Sequence, residues 1–414
     1  MRILLVNQCF YPDVAATAQH GWDLACALRD RGHQVTAISS RSLYGESGAT
    51  LAASEFVEGV HIVRVGTSMF GKRSLFGRAF DFAAFFILAA IQALYLPKQD
   101  ICVCFTTPPF ISLVGVALKW TRGTRCVTWL MDLYPDVPVT LGLLHRNAVT
   151  CRVLDRFSLW LMSQSDAVVV LGRCMAERVI AKGLPAEAIV RIPPWSSDSP
   201  PTQTTHQMRG TNPYRVKWEC GSRTLFMYSG NFGLGHDFET IGAAIKDIAP
   251  EGHVQFALVG GGRRKDALVC ALSDEISNGR VVVEPYQPRE RLPELLGSAD
   301  VHLVSLASGC EGTMVPSKFY GILAAGCPVI YVGESTGEVA RVIAETGCGL
   351  TVKPGDRDGL VKAFCSLRDD AGMRISLGKR ALEASEGPFS RKAALGQWVD
   401  LLEKLEDRTS YQSV

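Results

Sequence analysis

Residues 3–38 read ILLVNQCFYPDVAATAQHGWDLACALRDRGHQVTAI, and this stretch decides the fold. Ile3–Val6 is a short apolar run of strand length, followed by a loop containing Tyr11-Pro12-Asp13. From about Ala16 to Arg31 the residues follow a helical period, and Gly32 stops it. Arg29 and Arg31 stand in the last turn, where cations suit the helix dipole, and His33-Gln34 leads into a second strand, Val35–Ile38. A strand, a helix and a second strand in that order predict parallel pairing in an α/β layer.

Outward from this unit the pattern continues through Val60–Val65, Ile101–Phe105, Arg125–Leu130 and Ala167–Leu171, so residues 1–195 predict a parallel sheet covered on both faces. Residues 193–213, PPWSSDSPPTQTTHQMRGTNP, have no apolar period and predict a linker, placed at 196–215. The alternation then resumes with Thr224–Tyr228, Gln255–Val259, Val281–Glu284, Val301–Val304, Val329–Val332 and Leu350–Val352. The expectation is an α/β chain of two doubly wound, Rossmann-like domains, 1–195 and 216–387, facing across a cleft. A C-terminal helix within 388–414, with Ala394, Trp398 and Leu402 on one side, is expected to pack back on the first domain. Ligands of such sheets bind at the carboxyl ends of the strands.

Four loops fall at those ends. In the first, Ala15 and Ala16 begin a helix and are small enough to let an anion approach its backbone N–H groups. In the second, Gly230-Asn231-Phe232-Gly233-Leu234-Gly235-His236, three glycines permit close approach of a ligand or serve a flexible turn; their order differs from the dinucleotide fingerprint. In the third, Gly260-Gly261-Gly262-Arg263-Arg264-Lys265, three cations opposing a helix dipole point either to a bound anion or to a solvated basic face. In the fourth, Ser317 is read as an N-cap and Gly326 as the stop of a helix Lys318–Ala325, which puts Lys318 in a first turn where a diphosphate would offset it. Glu311 precedes that helix and is either a sugar-hydroxyl acceptor or an exposed loop acid.

Lys plus Arg is 43 and Asp plus Glu 41, a net charge of +2, which argues against a global field for nucleic acid. The 13 cysteines are scattered and form no C-x-x-C pair, so neither a zinc cluster nor a disulfide framework is expected, and reduced thiols fit the cytosol. Residues 1–8 lack the apolar length of a signal peptide. Ala79–Leu96 is almost wholly apolar yet contains Asp81 and Gln92, which favours a buried or membrane-surface helix over a span. Its aromatic run Phe80–Phe86, preceded by Lys72, Arg73 and Arg78, is the expected contact with an anionic inner membrane.

Taken together, Arg31-Gly32-His33-Gln34-Val35, Tyr228-Ser229-Gly230, Leu258-Val259-Gly260-Gly261-Gly262, Tyr286-Gln287, Ala299-Asp300-Val301 and Ala324-Ala325-Gly326-Cys327-Pro328-Val329 resemble a family 4 glycosyltransferase of the two-domain GT-B type. Val315-Pro316-Ser317-Lys318-Phe319-Tyr320-Gly321 is similar to the bacterial enzymes of exopolysaccharide and O-antigen assembly. The resemblance implies transfer of a sugar, with retention and without metal or other cofactor, from a nucleotide-diphosphate sugar to a glycan or polyprenyl-linked acceptor. The work would be done by a cytoplasmic enzyme, peripheral on the inner face of the membrane. It also implies donor binding by the second domain, with Tyr286 and Gln287 receiving the base and Ser317 and Tyr320 beside it, and acceptor binding by the first.

Asp132, just past a strand, is then either an acceptor contact or the cap of the next turn. The chain departs from the family where paired glycines become Ala15-Ala16, where an Arg and Lys become Asn231 and His236, and where two glutamates become Thr313 and Gly321. Lys318 with Arg263 or Arg264 is the expected replacement charge. Two competing expectations are a nucleotide-sugar 2-epimerase of the same fold and a catalytically inactive partner subunit.

Overall fold

The computed structural model describes residues 1–43, 50–67, 75–196 and 210–410. It divides into two compact units, Met1–Pro193 with Lys392–Val414, and Pro194–Arg391. Of the expected linker, residues 197–209 lie outside the described residues. Its end belongs to unit 2: Asn212 caps the helix Pro213–Lys217 by accepting from Tyr214 N, and Tyr214 and Arg215 are buried.

Unit 1 holds β1 (Arg2–Val6), β2 (Gln34–Ser39), β3 (Ser54–Val57), β4 (Val60–Arg64), β5 (Ile101–Cys104), β6 (Arg125–Leu130), β7 (Ala167–Val170) and β8 (Ile189–Arg191). They lie in the order β3-β4-β2-β1-β5-β6-β7-β8, parallel except that β3 runs antiparallel to β4. The β3–β4 hairpin was not expected from the sequence. It turns on Glu58-Gly59, both at positive φ (47° and 82°), the two-residue geometry whose twist suits a hairpin. Six helices of this unit are α1 (Ala16–Asp30), α2 (Leu75–Tyr95), α3 (Ser112–Arg122), α4 (Asp136–Thr140), α5 (Val149–Gln164) and α6 (Arg173–Ala181).

The apolar segment forms α2, whose Phe85, Ala89 and Ala93 pack into one cluster with Leu4, Cys102 and Leu118. Phe85 is therefore core, and the run Phe80–Phe86 is not a single outward patch. A helix of 3.6 residues per turn cannot show seven consecutive residues to one side. Lys72 and Arg73 lie outside the described residues. No helix among the described residues is long and apolar enough to cross a membrane. The C-terminal helix Arg391–Ser410 counts with unit 1. Its Trp398 is fully buried with its ring centroid 4.4 Å from that of Trp129 on β6, and Glu403 meets Arg31 and His33.

Unit 2 holds β9 (Thr224–Asn231), β10 (Val254–Gly261), β11 (Val281–Glu284), β12 (Val301–Ser305), β13 (Val329–Val332) and β14 (Gly349–Val352), all parallel in the order β11-β10-β9-β12-β13-β14. The order reverses between β9 and β12, the point where such sheets open a crevice at their carboxyl ends. Each unit is pinned by an aspartate just before a strand. Asp166 accepts from Cys126 N across the sheet and pairs with Lys119, while Asp300 accepts from Leu225 N and pairs with Arg215 at 2.9 Å.

Gly260 and Gly262 serve the packing of the backbone itself. β9 and β10 run on through Gly230 and Gly260 in register. A methyl group on Gly260 would lie 2.0 Å from Gly230 O, and one on Gly262 would lie 2.5 Å from Phe232 O. Both residues also have φ values (127° and 149°) that a side chain disfavours. Gly260→Ala should therefore cost about 2 kcal/mol or more and lower the thermal midpoint by several degrees. Gly321→Ala, whose nearest neighbour would be Leu296 Cδ1 at 3.7 Å, should leave it unchanged or raise it; thermal denaturation of both variants checks this.

Candidate functional site

The loop after β9 is clasped to the end of β12. His236 Nδ1 donates to Ser305 O at 2.5 Å, Asp237 N donates to Ser305 Oγ at 2.7 Å, and Ala307 N donates to Gly235 O at 2.8 Å. Asp237 also caps the helix Phe238–Ile248 through Thr240 N. Because a carbonyl can only accept, Nδ1 carries the imidazole proton and Nε2 keeps its lone pair. Burial, and then the neighbouring charge of Lys318, hold the pKa of His236 down to about 3, so the ring is neutral. His236, Arg264, Ser308, Gly355 and Arg357 line a cavity of ≈ 470 Å³.

Lys318 opens the short helix Lys318–Ala324. Its Nζ is buried 3.6 Å from the centroid of the Tyr228 ring, and it has no hydrogen-bond partner among the described residues. A methyl group on Gly230 would lie 3.2 Å from that nitrogen, so the glycine leaves the lysine its place. Burial pushes the Lys318 amine well below the usual lysine range and the Tyr228 phenol well above its own. A buried amine facing only an aromatic ring is destabilised relative to water, and an arriving anion would reverse that.

The other expected donor residues are placed unevenly. The helix after β10 begins at Lys265, so Arg263 and Arg264 precede it rather than sharing its first turn. Lys265 turns inward to Gly260 O and Glu284 O and serves the fold. Arg264 lies 3.4 Å from Glu239, and Arg263 is exposed. Tyr286 is 60% exposed, with its ring against Gly261 and its hydroxyl donating to Gly261 O; Gln287 Oε1 accepts from Tyr214 OH. Asn231 ends β9 in an exposed position.

Three expectations are corrected in the fourth loop. Ser317 does not cap: its backbone is already helical (φ −60°, ψ −28°), whereas a capping side chain requires an extended residue. Tyr320 is no donor contact, being buried in the core with its ring 5.7 Å from that of Phe389. Glu311 folds back on its own loop, accepting from Gly309 N at 2.9 Å, with its Cγ beside Gly337 at the start of the helix Glu338–Thr346. Thr313, at one family glutamate position, is fully buried and donates to Cys310 O.

In unit 1, Ala15 is the N-cap residue of α1 and Ala16 its first, with no side-chain cap and no acid in the first turn. Asp132 lies past β6, its backbone N donating to Thr106 Oγ1. The residue before α4 is Pro135 and no side chain caps that helix, which removes the capping role for Asp132. The Asp132 carboxyl has no hydrogen-bond or ion-pair partner among the described residues, and burial raises its pKa to about 6. The sequence reading missed Tyr228, Ser305 and Arg357. A tyrosine and a serine inside strands look like any other strand residues until the fold brings a lysine and a histidine to them.

No group of three or more His, Cys, Asp or Glu among the described residues is placed to hold a metal ion. The "Glycosyl transferase 4-like domain" family matches residues 16–195, and "Glycosyl transferases group 1" matches residues 223–370. The chain is 29% identical over 269 residues to the glycosyltransferase WbjE of Pseudomonas aeruginosa, spanning 65% of that protein's length and 64% of its own. It is 24% identical to the colanic acid biosynthesis glycosyl transferase WcaI of Escherichia coli, over 97% of this chain and 99% of that one. Among solved structures it is similar to the sucrose-phosphate synthase of Thermosynechococcus elongatus (TM-score 0.75, 16% identity, 98% and 99% covered). It is also similar to Anabaena HepE, solved in complex with UDP-glucose (TM-score 0.67, 16% identity, 98% and 100% covered). Two doubly wound sheets, each with its switch point, and a transferase family matched along each half make this chain a member of the GT-B glycosyltransferases of the family 4, group 1 type.

Proposed function

We propose that the chain moves a hexose from a nucleoside-diphosphate sugar to a hydroxyl of a glycan or polyprenyl-linked acceptor in cell-surface polysaccharide assembly. Transfer retains the anomeric configuration, needs no bound metal and takes place on the cytoplasmic side of the inner membrane. The name of WcaI supports the pathway class, that of WbjE the glycosyl transfer, and the UDP-glucose complex of HepE the donor class.

The observation that carries the reading is the buried, unpartnered Nζ of Lys318 at the switch point of unit 2. Departure of a diphosphate from an oxocarbenium-like centre requires fixed positive charge where the negative charge develops. Lys318 supplies it from beneath Gly230, and an anion at that point restores the charge that burial disfavours. Arg263 and Arg264 add charge after β10, while Tyr286 offers an exposed ring for the base. In unit 1, the free carboxyl of Asp132 receives an acceptor hydroxyl.

Lys318→Met should raise the donor KM, or weaken binding of the nucleoside diphosphate, by roughly ten- to a hundredfold. The thermal midpoint should stay unchanged or rise, because a buried charge is replaced by an apolar chain. Steady-state kinetics and calorimetry measure both, and unchanged donor binding would remove Lys318 from the site. NMR of the first product formed should show the anomeric configuration of the donor sugar, and chelation of divalent ions should leave the rate unchanged; inversion or chelator sensitivity refutes the corresponding part.

The raised pKa of Asp132 also fixes the sign of a pH effect. The folded protein binds this proton more tightly than the unfolded chain, so the stabilisation is full below the usual carboxylate pKa and lost as pH rises through about 6. Asp132→Asn should therefore gain thermal midpoint relative to the parent at pH 7.5, keep none of that gain below about pH 4, and lower transfer to the acceptor more than donor hydrolysis.

A further inference from the structure

Three neighbouring helices of unit 1, α2, α3 and α5, carry an outer surface rich in exposed apolar side chains. On α2 the side opposite the core shows Phe80, Ile87, Leu88, Ile91, Leu94 and Tyr95, each between 40% and 82% exposed. These residues recur at three- and four-residue intervals, so they form one apolar stripe about 20 Å long. Helix α3 lies beside α2, and its Arg122 donates to Leu94 O and Leu96 O, joining the two. From α3, Trp120 projects 62% exposed and meets Trp160 of α5 edge to face, centroids 5.6 Å apart. Along α5 the outward residues are Val149, Arg152, Val153, Arg156 and Trp160.

The exposed charges on this face are mainly positive. Asp81 of α2 is buried, and Asp155 of α5 is paired with Lys182. Among the described side chains, the exposed charges of α2, α3 and α5 are Arg152 and Arg156, together with the Asp155 carboxylate, 42% exposed and already held by Lys182. With a net charge of only +2 for the whole chain, this is a local arrangement. A second copy of the chain on a symmetric interface would bring arginines with only a lysine-held acid to meet them. A bilayer with anionic headgroups matches both parts, taking up the apolar stripe and tryptophans at the acyl boundary and pairing the arginines with phosphates.

We infer that α2, α3 and α5 together form the surface by which the protein docks on an anionic lipid bilayer. The surface gives the proposed membrane-side acceptor a place on the molecule, but vesicle binding can fail while sugar transfer persists, so the two readings fall separately. The test is co-flotation of the full chain with vesicles of phosphatidylethanolamine and phosphatidylglycerol, against phosphatidylcholine alone. The wild type should float with the anionic vesicles at low salt. The variant Ile87→Gln, Ile91→Gln, Leu94→Gln should lose at least roughly tenfold in partitioning, and Arg152→Gln and Arg156→Gln about fivefold each, with weaker salt dependence.

All these side chains are exposed, so thermal midpoints should match the wild type and separate docking from folding. Vesicles with brominated acyl chains should quench tryptophan fluorescence, and Trp120→Phe with Trp160→Phe should abolish most of that quenching. Absence of flotation overturns the inference, as does flotation unaffected by the variants. A concentration-dependent dimer that the α2 variant abolishes, without vesicle binding, would assign the face to a second copy instead.

Discussion

The hydrogen bonds between the loop after β9 and Ser305 set the geometry on which the rest of unit 2 depends. At a switch point the two central strands diverge into loops on opposite sides of the sheet, and nothing in the strand ladder beyond β9 and β12 holds those loops at a fixed separation. Ser305 does so with both its carbonyl and its hydroxyl. One imidazole proton is committed to that carbonyl, so His236 cannot take the role of a mobile cation. The positive charge at this end of the sheet has to come from elsewhere, and Lys318 lies close enough to depress the same histidine.

Unit 2 thus contains two kinds of buried charge. Arg215 pairs with Asp300 and donates to Ser298 O and Arg223 O, while Asp300 accepts from Leu225 N, an arrangement that pins β9 to β12. Such a pair contributes little net stability, but breaking it is expensive. Lys318 has an aromatic ring and, among the described residues, no acceptor, an open arrangement that costs stability.

The fold was legible because its periodicities are strong. Val-rich runs such as Val168–Val170 and the helix stop at Gly32 mark elements directly. The hairpin strand β3 was missed because its turn is Glu58-Gly59, in which a non-glycine residue adopts positive φ. The structural need for Gly260 and Gly262 was not legible, for a different reason. A glycine needed because another backbone passes 2 Å from its absent side chain looks, in one dimension, the same as one needed by a ligand. Lys318 was legible because a cation in a first turn breaks a local rule. Ser317 and Tyr320, its neighbours, break none, and their roles depended on backbone angles and on Phe389 arriving from far along the chain.

The packing of Trp398 against Trp129 also bears on the order in which the protein is made. A ribosome finishes every strand of the first sheet, then the whole of the second unit, before it releases the helix that covers Trp129. At about 5–20 residues per second, that leaves an indole and its apolar surroundings uncovered for some tens of seconds. The nascent first half is thus a natural client for chaperones, and a premature stop before residue 391 would deliver it in a sticky, unfinished form even though every strand is present.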